Sequence, residues 1–148
     1  MNKSSTSALR LILLVYAIFI FSAGPASGFC FNEAGALFDI PPKLLQAIAK
    51  VESNYNPVAV HWNSNGSYDY GLMQINSWWA SPSRLGEDVW STISDPCTNV
   101  MVGAGILANL IERHGYVWKS VGYYNSGNNK RQKRYIDRVY RAMREIRE

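Results

Sequence analysis

The chain has 148 residues, 15 Lys and Arg against 11 Asp and Glu, two cysteines and a formal net charge of +4. That length suits one domain with a core of its own, and excludes a two-domain or repeat architecture and a disulfide-stapled mini-protein. With 47% hydrophobic, 13% aromatic and 18% charged residues, disorder is excluded as well.

The first element is a leader. Lys3 and Arg10 precede an unbroken apolar run from Leu11 to Phe21, and small residues from Ser22 to Gly28 follow. This is the order of a secretory signal peptide, with Ala26 and Gly28 at the −3 and −1 positions of a cut before Phe29. The run is short for a membrane anchor, which needs about 20 apolar residues. Residues 1–28 therefore read as a signal peptide and residues 29–148 as the exported domain. Loss of Lys3 and Arg10 lowers the formal charge from +4 to +2. In an exported domain, Cys30 and Cys97 favour a disulfide over two buried thiols. Only His61 and His114 could add metal ligands, and neither an HExxH nor a CxxC motif is present, so no metal is expected.

Along the exported part, Asp39, Pro41 and Pro42 read as a helix start. Leu44, Leu45, Ile48 and Val51 recur at helical spacing, and Asn54, Asn56 and Pro57 stop that helix. Residues 61–70 are polar around Asn65-Gly66, which predicts a loop or a small β-hairpin. Asp95-Pro96 starts a second helix. From Cys97 to Ile111 it is apolar on nearly every side, as a helix in the middle of a core is. Gly103 and Gly105 in it predict close packing, and Gly115 suits its end. Tyr135, Val139, Ala142 and Ile146 mark a last amphipathic helix. Residues 130–148 carry a charge of +5, and residues 29–129 sum to −3. Those cations read as a solvated face and a long-range attraction to anionic surfaces, not as a nucleic-acid site.

Glu52 carries the chemical signal. Leu45, Ile48 and Glu52 are spaced i, i+3 and i+7, so the carboxyl shares the apolar face of its helix. Apolar surroundings disfavour the ionised form, and a raised pKa keeps a proton available for general acid catalysis near neutrality.

Around Glu52, Val51-Glu52-Ser53-Asn54-Tyr55-Asn56-Pro57 is followed by Gly71-Leu72-Met73-Gln74-Ile75-Asn76 and by Tyr123-Tyr124-Asn125-Ser126-Gly127. With these motifs the chain resembles the family 1 lytic transglycosylases. Asp95-Pro96 with Asn99 and Gly103-Ala104, and Tyr135-Ile136 with Val139, match two further helical motifs of that family. The resemblance spans residues 30–140, and is nearest to the subgroup that accompanies secretion, conjugation and pilus machines. A second likeness overlaps it: Ser67 to Trp79 is similar to the active-site hairpin of animal C-type lysozymes. Asp69, seventeen residues after Glu52, occupies the place of the lysozymes' second acid. Many family 1 transglycosylases lack an acid there.

The resemblance implies a lysozyme-like, mainly α (α+β) fold without cofactor. It also implies a monomeric periplasmic enzyme acting on peptidoglycan glycan strands, alongside a type III or type IV secretion, conjugation or pilus apparatus. Glu52 would be the catalytic acid, with Asp69 as a second carboxylate. Ser53 would hydrogen-bond the acid or the substrate, or cap the helix end. Gln74 and Asn76 would bind acetamido groups, or bond backbone within their turn. Tyr124 and Asn125 match the family's Tyr-Asn pair, with Tyr124 near the acid. Trp62, Trp78, Trp79 and Trp90 could stack on sugar rings, but aromatics this frequent are more often core, so they are not assigned to the site. Three functions follow: a lytic transglycosylase, a hydrolytic muramidase using Asp69, and a non-catalytic peptidoglycan-binding assembly component.

Overall fold

The computed structural model describes residues 29–81 and 83–147, so the signal peptide expected over residues 1–28 lies outside the described residues. Helix α1 (Phe31–Phe38) is followed by α2 (Pro42–Ser53), strands β1 (Val60–Trp62), β2 (Tyr68–Tyr70) and β3 (Ile75–Asn76), and a 3-10 turn (Ser77–Ala80). Helices α3 (Gly86–Ser91), α4 (Pro96–His114), α5 (Trp118–Asn125) and α6 (Asn129–Glu145) complete the chain order. The fold is mainly helical with one small antiparallel sheet, as expected.

The helix ends follow their sequence signals. Pro42 opens α2, and Asn54 closes it in the left-handed region at φ 53°. Asp95 caps α4 by accepting the Thr98 N–H at 2.7 Å. Asp39 is a correction: it closes α1, at φ 53°, and does not open α2. Helices α1, α3 and α5 have no counterpart in the sequence reading. Each is eight residues or fewer and none has a side-chain cap at its start.

The five longer helices form a closed ring of neighbours, α1–α2–α6–α5–α4 and back to α1. Leu45 and Ile48 of α2, Val100 and Leu107 of α4, and Val139 of α6 are fully buried. So are Leu72 and Met73, from the turn between β2 and β3. Gly103 permits this, since a Cβ there would sit 2.7 Å from the Met73 Cβ. Cys30 and Cys97 are disulfide-bonded with Cα atoms 5.2 Å apart, joining the starts of α1 and α4 across 67 residues. Closing a loop of that size contributes about 4 kcal/mol in the chain-entropy picture.

In the sheet, β2 lies between β1 and β3. Its register sets His61 opposite Asp69, and Asp69 opposite Asn76. The hairpin turns at Gly66, whose φ of 84° suits the Asn-Gly pair. The sheet therefore offers one cross-strand row, His61–Asp69–Asn76, and all three residues line one open cleft.

Candidate active site

An open cleft of about 920 Å³ runs between the sheet and the helices, and both Glu52 and Asp69 line it. Its open form leaves room for a chain to run through it, whereas a drug-sized ligand is usually enclosed over most of its surface.

Glu52 sits in the last turn of α2. Its Oε1 accepts a hydrogen bond of 2.5 Å from the Tyr135 hydroxyl of α6. Burial pushes its carboxyl up from 4.5 to about 7. The Tyr135 hydrogen bond and the Arg138 guanidinium oppose that rise, and the Asp69 charge adds to it. Burial, followed by the Glu52 charge, holds the hydroxyls of Tyr135 and Tyr124 well above the usual tyrosine range. Both therefore remain hydrogen-bond donors. Arg138 donates from Nη2 to the Val51 carbonyl at 2.9 Å, which ties α6 to the end of α2 beside the acid.

Asp69 stands in a different setting. Its Oδ1 accepts from the Asn76 amide at 2.7 Å and its Oδ2 from the Asn63 amide at 3.0 Å. Asn76 Oδ1 in turn accepts the Trp78 N–H at 2.9 Å, which starts the 3-10 turn. Asn76 is thus held from both ends of its amide and orients the carboxylate.

The turn after β2 is gripped from three helices. Ser53 of α2 donates to the Leu72 carbonyl at 2.9 Å. Asn99 of α4 is buried; it accepts the Met73 N–H at 2.8 Å and donates to the Tyr70 carbonyl at 3.0 Å. Tyr124 of α5 donates to the Met73 carbonyl at 2.9 Å. Gly71 has φ 79°, and a Cβ on it would run into the Asn99 amide, so the turn needs glycine there. Gln74, at φ 48°, donates its amide to the Gly71 carbonyl at 2.9 Å and the Ala59 carbonyl at 3.2 Å.

These bonds sort the residues singled out in the sequence. Glu52, Asp69, Gln74, Asn76, Tyr124 and Asn125 all line the cleft, and Asn125 is exposed there. Ser53 does not line it; its hydroxyl is committed to the Leu72 carbonyl, so it touches neither acid nor cleft. Trp78 and Trp79 line the cleft with rings 5.1 Å apart edge to face, which favours the stacking alternative over the core one. Trp62, 70% exposed, is not core either. Tyr135 is legible in the sequence as an apolar-stripe position within a family motif and Arg138 as part of a basic face, neither as a partner of the acid. Asn63 gave no signal beyond lying in a polar loop. Among the described residues, no group of three or more His, Cys, Asp or Glu is placed to hold a metal ion.

Residues 29–146 match the family model of the Transglycosylase SLT domain. The chain belongs to this family of peptidoglycan lytic transglycosylases. Among its relatives is "Invasion protein IagB" of Salmonella typhimurium (strain SL1344), 36% identical over 137 residues, covering 89% of this chain and 86% of the relative. "Protein IpgF" of Shigella sonnei is 39% identical over 117 residues, covering 76% of this chain and 77% of the relative. A "Peptidoglycan-binding-like protein" of Escherichia coli O157:H7 is 35% identical over 142 residues, covering 88% and 85%. In fold the SLT domain is similar to an inactive variant of the lytic transglycosylase Slt from Pseudomonas aeruginosa, with a TM-score of 0.58 and 14% identity. That match covers 76% of this chain but only 22% of the much longer Slt.

Proposed function

We propose that this transglycosylase cuts the β-1,4 bond between N-acetylmuramic acid and N-acetylglucosamine and leaves a 1,6-anhydro end on the muramoyl residue. The observation that carries the reading is Glu52, a half-buried carboxyl that lines an open cleft, accepts the Tyr135 hydroxyl and is raised to about 7 by loss of water. Protonated Glu52 gives its proton to the bridging oxygen, which leaves on the glucosamine with the electron pair of the broken C1–O bond. The resulting carboxylate then takes the proton of the muramoyl 6-hydroxyl as that oxygen bonds to C1. Glu52 ends protonated, and no water is consumed. An attached nucleophile has a high effective concentration, so one carboxyl can serve both steps.

Tyr135 holds Glu52 in place and moderates its proton affinity. Asp69, fixed by Asn63 and Asn76, offers negative charge to the cation that develops at C1. Asn125, and Gln74 through its side-chain oxygen alone, are the cleft-lining groups we assign to the acetamido groups, with Trp78 and Trp79 as stacking surfaces. A finer reading rests on the leader expected over residues 1–28 and on the resemblance of the motifs: an exported, periplasmic enzyme that opens the wall locally for an envelope-spanning secretion apparatus, with one relative named an invasion protein.

Asp69 favours one second reading, a muramidase in which water completes the reaction, as in the two-carboxylate lysozyme case. Digestion of purified sacculi followed by mass analysis of the muropeptides separates the two. Anhydro-muropeptides support the transglycosylase, and reducing ends support the hydrolase. Retained wall binding without soluble product would leave only a binding role.

A further inference from the structure

Arg131 and Arg138 of α6 line the same cleft as Glu52. With Tyr135 they are spaced i, i+4 and i+7, on one face of the helix and spanning about 10 Å along its axis. Tyr135 touches Glu52, so one guanidinium lies a turn before the catalytic acid and the other a turn after it. Arg138 is fixed by its bond to the Val51 carbonyl. Among the described residues, the Arg131 guanidinium has neither a hydrogen-bond nor an ion-pair partner.

The acids of α6 do not neutralise this wall. Asp137 pairs with Lys133 at 3.5 Å and Glu145 with Lys50 at 3.4 Å, and none of these four lines the cleft. Inside the cleft the carboxyls are Asp69 and Glu52, the latter half-protonated at about pH 7. The cleft thus sets two guanidiniums against two carboxyls in a body whose residues 29–129 are acidic overall, and among the described residues Arg131 pairs with neither carboxyl. A merely solvated basic face would not concentrate positive charge there.

The sugar backbone of the strand is neutral and gives a guanidinium no charged partner. Peptidoglycan carries its acids on the lactyl arm of the muramoyl residue. They are the carboxylates of the stem peptide or, where that peptide is removed, the lactyl carboxylate itself. The planar fork of an arginine matches a carboxylate with two parallel hydrogen bonds.

We infer that Arg131, with Arg138, selects strands by binding a carboxylate borne on the muramoyl lactyl arm next to the bond that is cut. This rests on the proposed substrate, and it moves those two arginines from a long-range attraction to a specific contact.

The test uses the full chain carrying Glu52→Gln, which binds without cutting, and three soluble strands. One keeps its stem peptides, one is stripped to the lactyl carboxylate, and one is stripped and capped as the methylamide. Tryptophan fluorescence reports each Kd at fixed salt. The capped strand binds about tenfold more weakly than at least one charged strand, Arg131→Gln in the same background removes that gap, and Arg131→Lys keeps part of it. Tightest binding of the intact strand assigns the contact to stem-peptide acids, and of the stripped strand to the lactyl group. Equal Kd values for all three strands, or a gap that survives Arg131→Gln, overturns the inference. Reducing ends released by the wild-type enzyme would instead count against the transglycosylase reading and leave the Kd gap intact.

Discussion

The two walls of the cleft treat a carboxyl in opposite ways. On the helical wall, Glu52 is surrounded by packed side chains, receives one phenolic hydrogen bond and keeps its proton up to about pH 7. On the sheet wall, Asp69 stands in a row of polar residues and each of its oxygens accepts an amide hydrogen bond. One wall stores a proton and the other presents a negative charge. The division comes from the elements that supply them. A helix end packed against another helix removes water, and a three-stranded hairpin with polar residues on one face does not.

The largest effect should come from emptying the helical wall of its proton. Glu52→Gln should lower release of soluble muropeptides at least ~1000-fold, in line with loss of the group we assign as both acid and base. The same substitution should stabilise the fold above neutral pH. Folded Glu52 holds its proton more tightly than unfolded Glu52, so the stability contributed by this group falls as pH rises from 4.5 to about 7 and changes no further above that. Glu52→Gln lacks this loss, and at pH 8 it should unfold at higher urea by roughly 1–3 kcal/mol.

On the sheet wall, Asp69→Asn should lower kcat by about 10- to 100-fold through the loss of charge stabilisation, with the anhydro product retained. Full rate in this variant would remove Asp69 from the mechanism, and the two walls would no longer divide the work.

Tyr135→Phe should be milder, about tenfold in kcat/KM. Its signature is the pH profile. The Tyr135 bond lowers the Glu52 pKa, so its loss should move the alkaline fall of kcat/KM to higher pH. A profile that stays in place would make Tyr135 a packing residue only.

The smallest effect on chemistry, with a clear effect on stability, belongs to the support beneath both walls. Asn99→Ala should cost about 2 kcal/mol, because it strands the Met73 N–H and the Tyr70 carbonyl in the core. Urea unfolding reads it directly.

How much of this was legible in the sequence follows the range of each interaction. Glu52 stood out because its apolar neighbours Leu45 and Ile48 lie on its own helix, within two turns. Helices α2, α4 and α6 were legible for the same reason, through proline starts, an Asp cap and sustained periodicity. Tyr135 was hidden as a site residue, since a tyrosine on an apolar stripe reads as core and its partner lies 83 residues away. Ser53, Gln74 and Tyr124 lie in motifs that resembled a substrate site. Their donors nevertheless hold the turn from Gly71 to Gln74, a use fixed by chain segments that meet only in three dimensions. Short helices such as α5, with Gly122 and three aromatics in eight residues, form because packing overrides propensity.

The contrast between the walls rests on where Glu52 keeps its proton. Carboxyl 13C NMR of protein labelled at glutamate, with the Glu52 signal assigned by its absence in Glu52→Gln, measures this across pH 3 to 9. The account predicts a midpoint raised to about 7 for that signal. A midpoint near 4.5, the value of a solvated glutamate, would contradict the assignment of Glu52 as the proton-bearing acid.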